Sequence, residues 1–269
     1  MENPLNEQIR RNADSRNAWE RFGPHRERVT RLLLEAAPAG GRLCVLGAGN
    51  CNDLDLAVLA KMFEEIHLVD WDAAAMAAGA TRAGANAERI ILHGGIDLTG
   101  LGTAETTVAD DLIEQALTSR PFATANPFTV TASVCTLSQF IEFGSQRIGA
   151  GQARAAELIL AIRARHLRLL TELTAPGGTA VLISDVVSSE TYPQLSQIRP
   201  QDFAATIAAL IMQGNFFTGL NPLPLAKAWR DDPQLAGMIA RVDLMPPWLW
   251  DLGPRKYAVY AAVARRTGL

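Results

Sequence analysis

From residue 42 onward, short apolar runs alternate with helical stretches, and this alternation constrains the fold more than any single residue does. The runs are RLCVL (42–46), IHLVD (66–70), RIILHGGID (89–97), FTVTASV (128–134) and TAVLISD (179–185). Helical patterning fills the gaps at about 54–63, in an alanine-rich stretch in the seventies, and at about 107–118, 138–147 and 152–173. Such alternation specifies a parallel sheet with right-handed crossovers, so five strands are expected in doubly wound order. The end of the chain breaks the pattern. RVDLMPPWLWDLGPRKYAVYAAVARR reads as two strands joined across DLGPR, a hairpin and therefore antiparallel.

The first forty residues are polar and helical, divided by the Gly23-Pro24 pair, which stops one helix and starts the next. Trp19 and Phe22, then Val29, Leu32 and Leu33, give them apolar faces to bury. The expected organisation is a helical cap over 1–40 and one main domain over 41–269, with a helical insertion at about 186–240. A chain of 269 residues that is 48% hydrophobic can build one sizeable core. Its net charge of −3 gives no bulk attraction to nucleic acid. Cys44, Cys51 and Cys135 form no C-x-x-C pair, which argues for a reducing compartment and against a zinc site; no metal is expected. The start, MENPLNEQIRRNADSRN, lacks the apolar core of a signal peptide, and no apolar run approaches the roughly 20 residues of a membrane span. A cytoplasmic location is therefore expected, with no membrane contact.

The first run ends in LGAGNCND, where a strand meets a G-x-G turn onto a helix. Such a turn presents backbone N–H groups to a nucleotide-like ligand. Gly47 and Gly49 fit a dinucleotide fingerprint but Asn52 takes its third glycine place, so the loop alone does not name the ligand. Asp70 closes the second run and Asp97 follows the third.

A Gly-rich turn after the first strand, acids after the second and third, and a terminal hairpin together resemble the class I S-adenosylmethionine-dependent methyltransferases. The resemblance covers 42–264, with its informative motifs within 43–140. It implies an α/β fold: a Rossmann-like doubly wound sheet of seven strands, five parallel plus a C-terminal antiparallel hairpin, with helices on both faces. GAGNC matches the first motif, so Gly47, Ala48 and Gly49 would pass under the methionine part of S-adenosylmethionine, with Asn50 beside them. The family often has an acid two residues before the first glycine, where this chain has Val45, and its third small residue is here Cys51. Asp53 is then expected to meet the cofactor's ammonium. Asp70 matches the acid that takes both ribose hydroxyls, and two vicinal O–H donors are best met by two ionised oxygens. Trp71 falls against adenine, and Ile96 and Asp97 at the adenine amino group. SVCTLSQF, starting at Ser133, corresponds to the motif beside the reacting methyl.

The implied activity is direct in-line methyl transfer to a small-molecule acceptor. Asp185, after the fifth run, is the candidate proton acceptor or amine partner, and Cys135 the residue adjacent to the methyl. His25, Gln139 and Asn215 are candidate substrate contacts. His166 sits on an apolar helical stripe and reads as a hydrogen-bonded packing residue. The lack of an NPPY-like motif after the fourth strand argues against methylation of base amino groups or protein amides. Two other functions fit parts of the pattern: an NAD(P)-binding oxidoreductase, from GAGN and the position of Asp70, and a non-catalytic nucleoside-binding protein.

Overall fold

The computed structural model describes residues 4–37, 40–102, 104–148 and 153–268. Residues 1–3 of the expected cap and residue 152, the expected start of the long helix, lie outside them. Helices α1 (Pro4–Ser15) and α2 (Gly23–Ala36) precede β1 (Arg42–Leu46), α3 (Leu56–Met62), β2 (Glu65–Asp70), α4 (Ala73–Ala80) and β3 (Ile90–Gly94). Then follow α5 (Ala109–Thr118), β4 (Phe128–Val134), α6 (Leu137–Ile148), α7 (Ala155–Leu173), β5 (Thr174–Ser188), α8 (Phe203–Met212), α9 (Pro222–Arg230), β6 (Ile239–Asp251) and β7 (Lys256–Arg266). The seven strands form one sheet in the order β3-β2-β1-β4-β5-β7-β6, with β7 antiparallel to both neighbours. Chain direction reverses its progress across the sheet between β1 and β4, the switch point where open α/β sheets leave a crevice at their carboxyl edge.

Both faces of the sheet are covered, and the alternation of side chains along each strand sorts them. Leu43 and Val45, Ile66 and Leu68, and Val130 and Ala132 pack with α2, α3 and α4. Cys44 and Leu46, Val69, and Leu182 pack on the other side with α5, α6, α7 and α9, where Trp229 is fully buried. Helix starts follow local chemistry: Asp55 Oδ1 accepts from the Val58 amide at 3.1 Å, and Asp72 Oδ1 from that of Ala75 at 3.0 Å. In the terminal hairpin Gly253 adopts φ 87°, and its amide bonds Asp251 Oδ1 at 2.7 Å.

Three details of this scaffold shape the site. APGG (175–178) has turn-forming residues yet falls within β5: Thr174 pairs with Phe128, after which the register jumps to Thr179 opposite Val130. A second irregularity in β5, between Asp185 and Val187, is a bulge that re-aims the strand end. Gly79 lets α4 approach the glycine turn, because a Cβ there would stand 2.4 Å from the Asn50 carbonyl oxygen.

Candidate functional site

The carboxyl edges of β1, β2 and β4 meet beneath α1. Gly47 and Gly49 have φ of 73° and 47°, the left-handed conformations a tight strand-to-helix turn demands. The turn's first amides do not point outward as its sequence suggests. Those of Gly47 and Ala48 donate to the Val69 carbonyl at 2.8 and 3.2 Å, and that of Gly49 to Asp70 Oδ2 at 2.8 Å. The turn is thus fastened to the tip of β2.

Asp70 is 4% exposed and lies at the wall of an open cleft. Its Oδ1 accepts from the Asp72 amide at 2.8 Å and its Oδ2 from Gly49. A carboxylate offers about four acceptor sites, so each oxygen keeps one for a further donor. Burial raises the carboxyl above its ordinary value, and the backbone donors oppose that rise. Trp71, Ile96, Leu98, Phe140 and Phe143 make the cleft apolar. Asp97 also lines it but is largely committed to its own loop: Oδ1 accepts from the Thr99 amide and hydroxyl at 2.9 and 2.6 Å, and Oδ2 from the Gly102 amide at 2.6 Å. Trp71 closes over that loop, since a Cβ on Gly102 would lie 2.2 Å from its ring.

A larger open cavity adjoins this cleft; Gly47, Gln139 and Arg11 line both. Ala48, Gly49, Asn50, Asp53, Cys135 and Asp185 lie on its wall. Asp185 is 7% exposed, and its Oδ1 accepts from the Ser138 hydroxyl at 2.7 Å. Burial pushes its carboxyl up to about 6, against the pull of Ser138. Cys135 closes β4 with φ 49°, unusual for a residue with a side chain. Burial and the nearby Asp185 hold its thiol well above the ordinary value, which leaves it a neutral wall rather than a nucleophile. Gln139 anchors its amide on the Cys135 carbonyl at 3.0 Å.

Other expected residues stand elsewhere. Ser133 does not reach either cavity; it faces α7, where its hydroxyl meets His166 Nε2 at 2.8 Å. Alternation decides this, for 131 and 133 point to the opposite face from 130, 132 and 134. Burial keeps His166 neutral, with its pKa lowered to about 3. His25 is 1% exposed and sits behind the cavity wall: it receives a bond from Trp248 Nε1 at 3.1 Å on Nδ1, stacks on Trp250 at 4.5 Å, and places Nε2 3.2 Å from Asp53 Oδ1. The Trp248 donor leaves the Nε2 side of the ring to carry the proton, facing Asp53. That His25–Asp53 approach is within ion-pair distance but off hydrogen-bond alignment. Asn215 lies outside both cavities and donates to the Thr191 carbonyl at 3.3 Å.

Sequence reasoning expected a helical cap over 1–40 but missed the α1 residues that line the site. Asn12 Nδ2 donates to Asp72 Oδ2 at 3.0 Å, Asn50 Nδ2 to the Asn12 carbonyl at 2.5 Å, and Asn52 Nδ2 to the Ser15 carbonyl at 2.8 Å. The amides of the glycine turn therefore hold the helix that roofs it, and Asn50's side chain is spent there rather than on a ligand. Glu7, Gln8 and Arg11 of α1 face both cavities, and Arg11 bridges to Glu142 of α6 at 3.0 Å. A polar helix with Asn, Ser and Arg on one side was the available signal. Among the described residues no group of three or more His, Cys, Asp or Glu side chains could hold a metal, and no helix is long and apolar enough to cross a membrane.

No family model and no curated protein matches the chain. Several solved structures are similar to it. They include the YcgJ protein from Bacillus subtilis, 10% identical, with 90% of this chain and 99% of that one covered at a TM-score of 0.49. The glycopeptide N-methyltransferase MtfA is 12% identical, with 89% of each chain covered and a TM-score of 0.46. An O-methyltransferase family protein from Burkholderia thailandensis is 16% identical over 97% of this chain and 60% of that one, with a TM-score of 0.45. The strand order itself carries the classification: a mostly parallel seven-stranded sheet closed by an antiparallel C-terminal pair, with helices on both faces, gives this chain a Rossmann-like doubly wound fold.

Proposed function

We propose that the chain is an S-adenosylmethionine-dependent methyltransferase acting on a small-molecule acceptor. One observation carries this reading: the Asp70 carboxylate, half-satisfied by two backbone donors, opens onto an apolar cleft contiguous with a larger polar cavity. The adenosyl group would occupy the first. Its ribose diol would take the free acceptor site on each Asp70 oxygen, and its adenine would lie among Trp71, Ile96 and Phe140. The methionine end would then run past Gly47 and Gly49 toward Asp53, which is the carboxylate available for its ammonium. When bound, this cofactor supplies a methyl group on a sulfonium, an electrophile that needs only an aligned lone pair.

The chain's own residues align and enclose. Helix α1, held by Asn12, Asn50 and Asn52, roofs the joint between the two cavities and keeps bulk water from it. Asp185 is ionised at neutral pH, is fixed by Ser138 and can take a proton from an acceptor. Cys135 and Gln139 wall the passage between them.

Thermal denaturation with S-adenosylhomocysteine tests the reading against its oxidoreductase rival. At a hundredfold excess over Kd the ligand should add about 2.7 kcal/mol, a rise of several degrees, while NADH and NADPH leave the melting temperature unchanged. Stabilisation by a dinucleotide alone would replace this proposal with the other.

A further inference from the structure

The larger cavity combines two kinds of lining. One is a run of aromatic rings from four separate elements. Phe22 meets Trp250 edge-on at 5.2 Å, Trp250 lies 5.5 Å from Tyr257, and Tyr257 lies 6.4 Å from Phe217. Trp250 and Tyr257 are cross-strand partners in the terminal hairpin, and His25 stacked behind Trp250 fixes its ring. The Phe217 amide donates to the Val186 carbonyl at 2.9 Å, so the bulge that re-aims Asp185 also seats the last ring of the wall.

The charged lining is acidic. Six carboxylates and three guanidiniums line the cavity, which sets its sign as negative. Arg11 is engaged with Glu7 and Glu142, and Arg255 with Glu190 at the exposed rim. Asp185 is the buried exception. It has Ser138 as a donor and no ion-pair partner among the described residues. An ionised carboxylate beside aromatic faces attracts a cation twice, by charge and by the ring quadrupoles. An anionic acceptor would meet repulsion, and a neutral hydroxyl would leave the carboxylate's charge unanswered.

We propose that this cavity takes a cationic amine carried on a flat apolar body, with its ammonium on Asp185, its body along the aromatic wall, and its nitrogen as the methyl acceptor. The assignment rests on the methyl-transfer reading above. In the step it implies, the ammonium gives a proton to the Asp185 carboxylate, which becomes a neutral acid. The freed nitrogen lone pair takes the methyl: the N–C bond forms as the S–C bond breaks, and that bond's electron pair stays on sulfur. The methylated product leaves as an ammonium, and Asp185 returns its proton to solvent.

Calorimetric titration of the full chain, saturated with S-adenosylhomocysteine, tests the assignment. The probes are 2-phenylethylamine and tryptamine, set against 2-phenylethanol and 3-phenylpropionate. At least one amine should bind about tenfold or more tighter than the alcohol and the acid. Asp185→Asn should erase that preference while leaving S-adenosylhomocysteine affinity within about twofold. Trp250→Leu should weaken amine and alcohol alike. Equal binding of amine and alcohol, preference for the acid, or binding of none of the four would overturn the amine assignment while the cofactor reading stands. If S-adenosylhomocysteine itself does not bind, the methyl-transfer reading falls first.

Discussion

Asp70→Ala is expected to lower affinity for S-adenosylhomocysteine on the order of 100-fold or more, because two charge-assisted hydrogen bonds to the ribose, each worth about 1.5–3 kcal/mol, disappear together. Few single side chains have so much to lose at this site. The carboxylate also fastens the glycine turn to β2 and α4 through the amides of Gly49 and Asp72. Alanine orphans both donors, and that costs stability; but it also removes a buried charge whose ionisation burial already disfavours. The two effects oppose, and the variant should stay folded by circular dichroism. Asp70→Asn is the complementary variant. It keeps one acceptor oxygen, but its NH2 group replaces an oxygen that accepts from the Gly49 or the Asp72 amide, so two donors face each other and affinity should fall by about tenfold or more. Unchanged calorimetric affinity in a folded Asp70→Ala variant would place the ribose elsewhere.

Asp185→Asn is expected to stabilise the protein at pH 8 while abolishing most of its turnover. An ordinary aspartate ionises near 3.8, and burial raises Asp185 to about 6. That difference corresponds to roughly 3 kcal/mol of penalty for holding the charge in the fold. The sign follows from proton binding. Between these two values the folded chain holds a proton that the unfolded chain has released, so stability falls as pH rises from about 4 to about 6 and stays low above it. Asparagine carries no such charge. Its melting temperature should exceed the wild type's by several degrees at pH 8, at about 2–4 °C per kcal/mol for a chain of this size, and the gap should close near pH 4. A gap independent of pH, or a variant less stable at pH 8, would show that Asp185 is not held as a strained carboxylate. Stability given up at one buried acid, beside a bulge and next to the left-handed Cys135, is the pattern of a working site rather than a packing residue.

Much of the fold could be read from the chain because its signals are local. The tips of β1 and β2 are marked by a glycine and an acid, and the strand residues alternate between two helical layers, so Leu43 and Val45 and then Cys44 and Leu46 separate cleanly. DLGPR gave the hairpin because Gly253 needs its positive φ. What escaped was non-local. APGG looks like a turn, and Gly177 does turn at φ 75°, yet the strand continues through it because Thr174 still finds Phe128. Asn50 and Asn52 sit in the glycine turn as if to meet a ligand, and only the packing of α1 shows that they hold the roof. Ser133 stands at the correct strand end but on the wrong face, a matter of one residue of register. His25 was read as a substrate contact from its place in the N-terminal helices; three-dimensionally it backs Asp53 and Trp250. Phe22, Trp250, Tyr257 and Phe217 come from distant segments, and no spacing in the sequence announces their wall.

The central claim is that the tip of β2 grips a ribose while the glycine turn underlies a methionine. Crystals of the wild-type chain soaked with S-adenosylhomocysteine test it directly. The account predicts density with both ribose hydroxyls on Asp70, adenine beside Trp71 and the amino-acid end over Gly47 and Gly49. An ordered ligand bound away from Asp70, or a cleft that stays closed by Trp71 and Phe140 in crystals where the ligand is otherwise shown to bind, would contradict it.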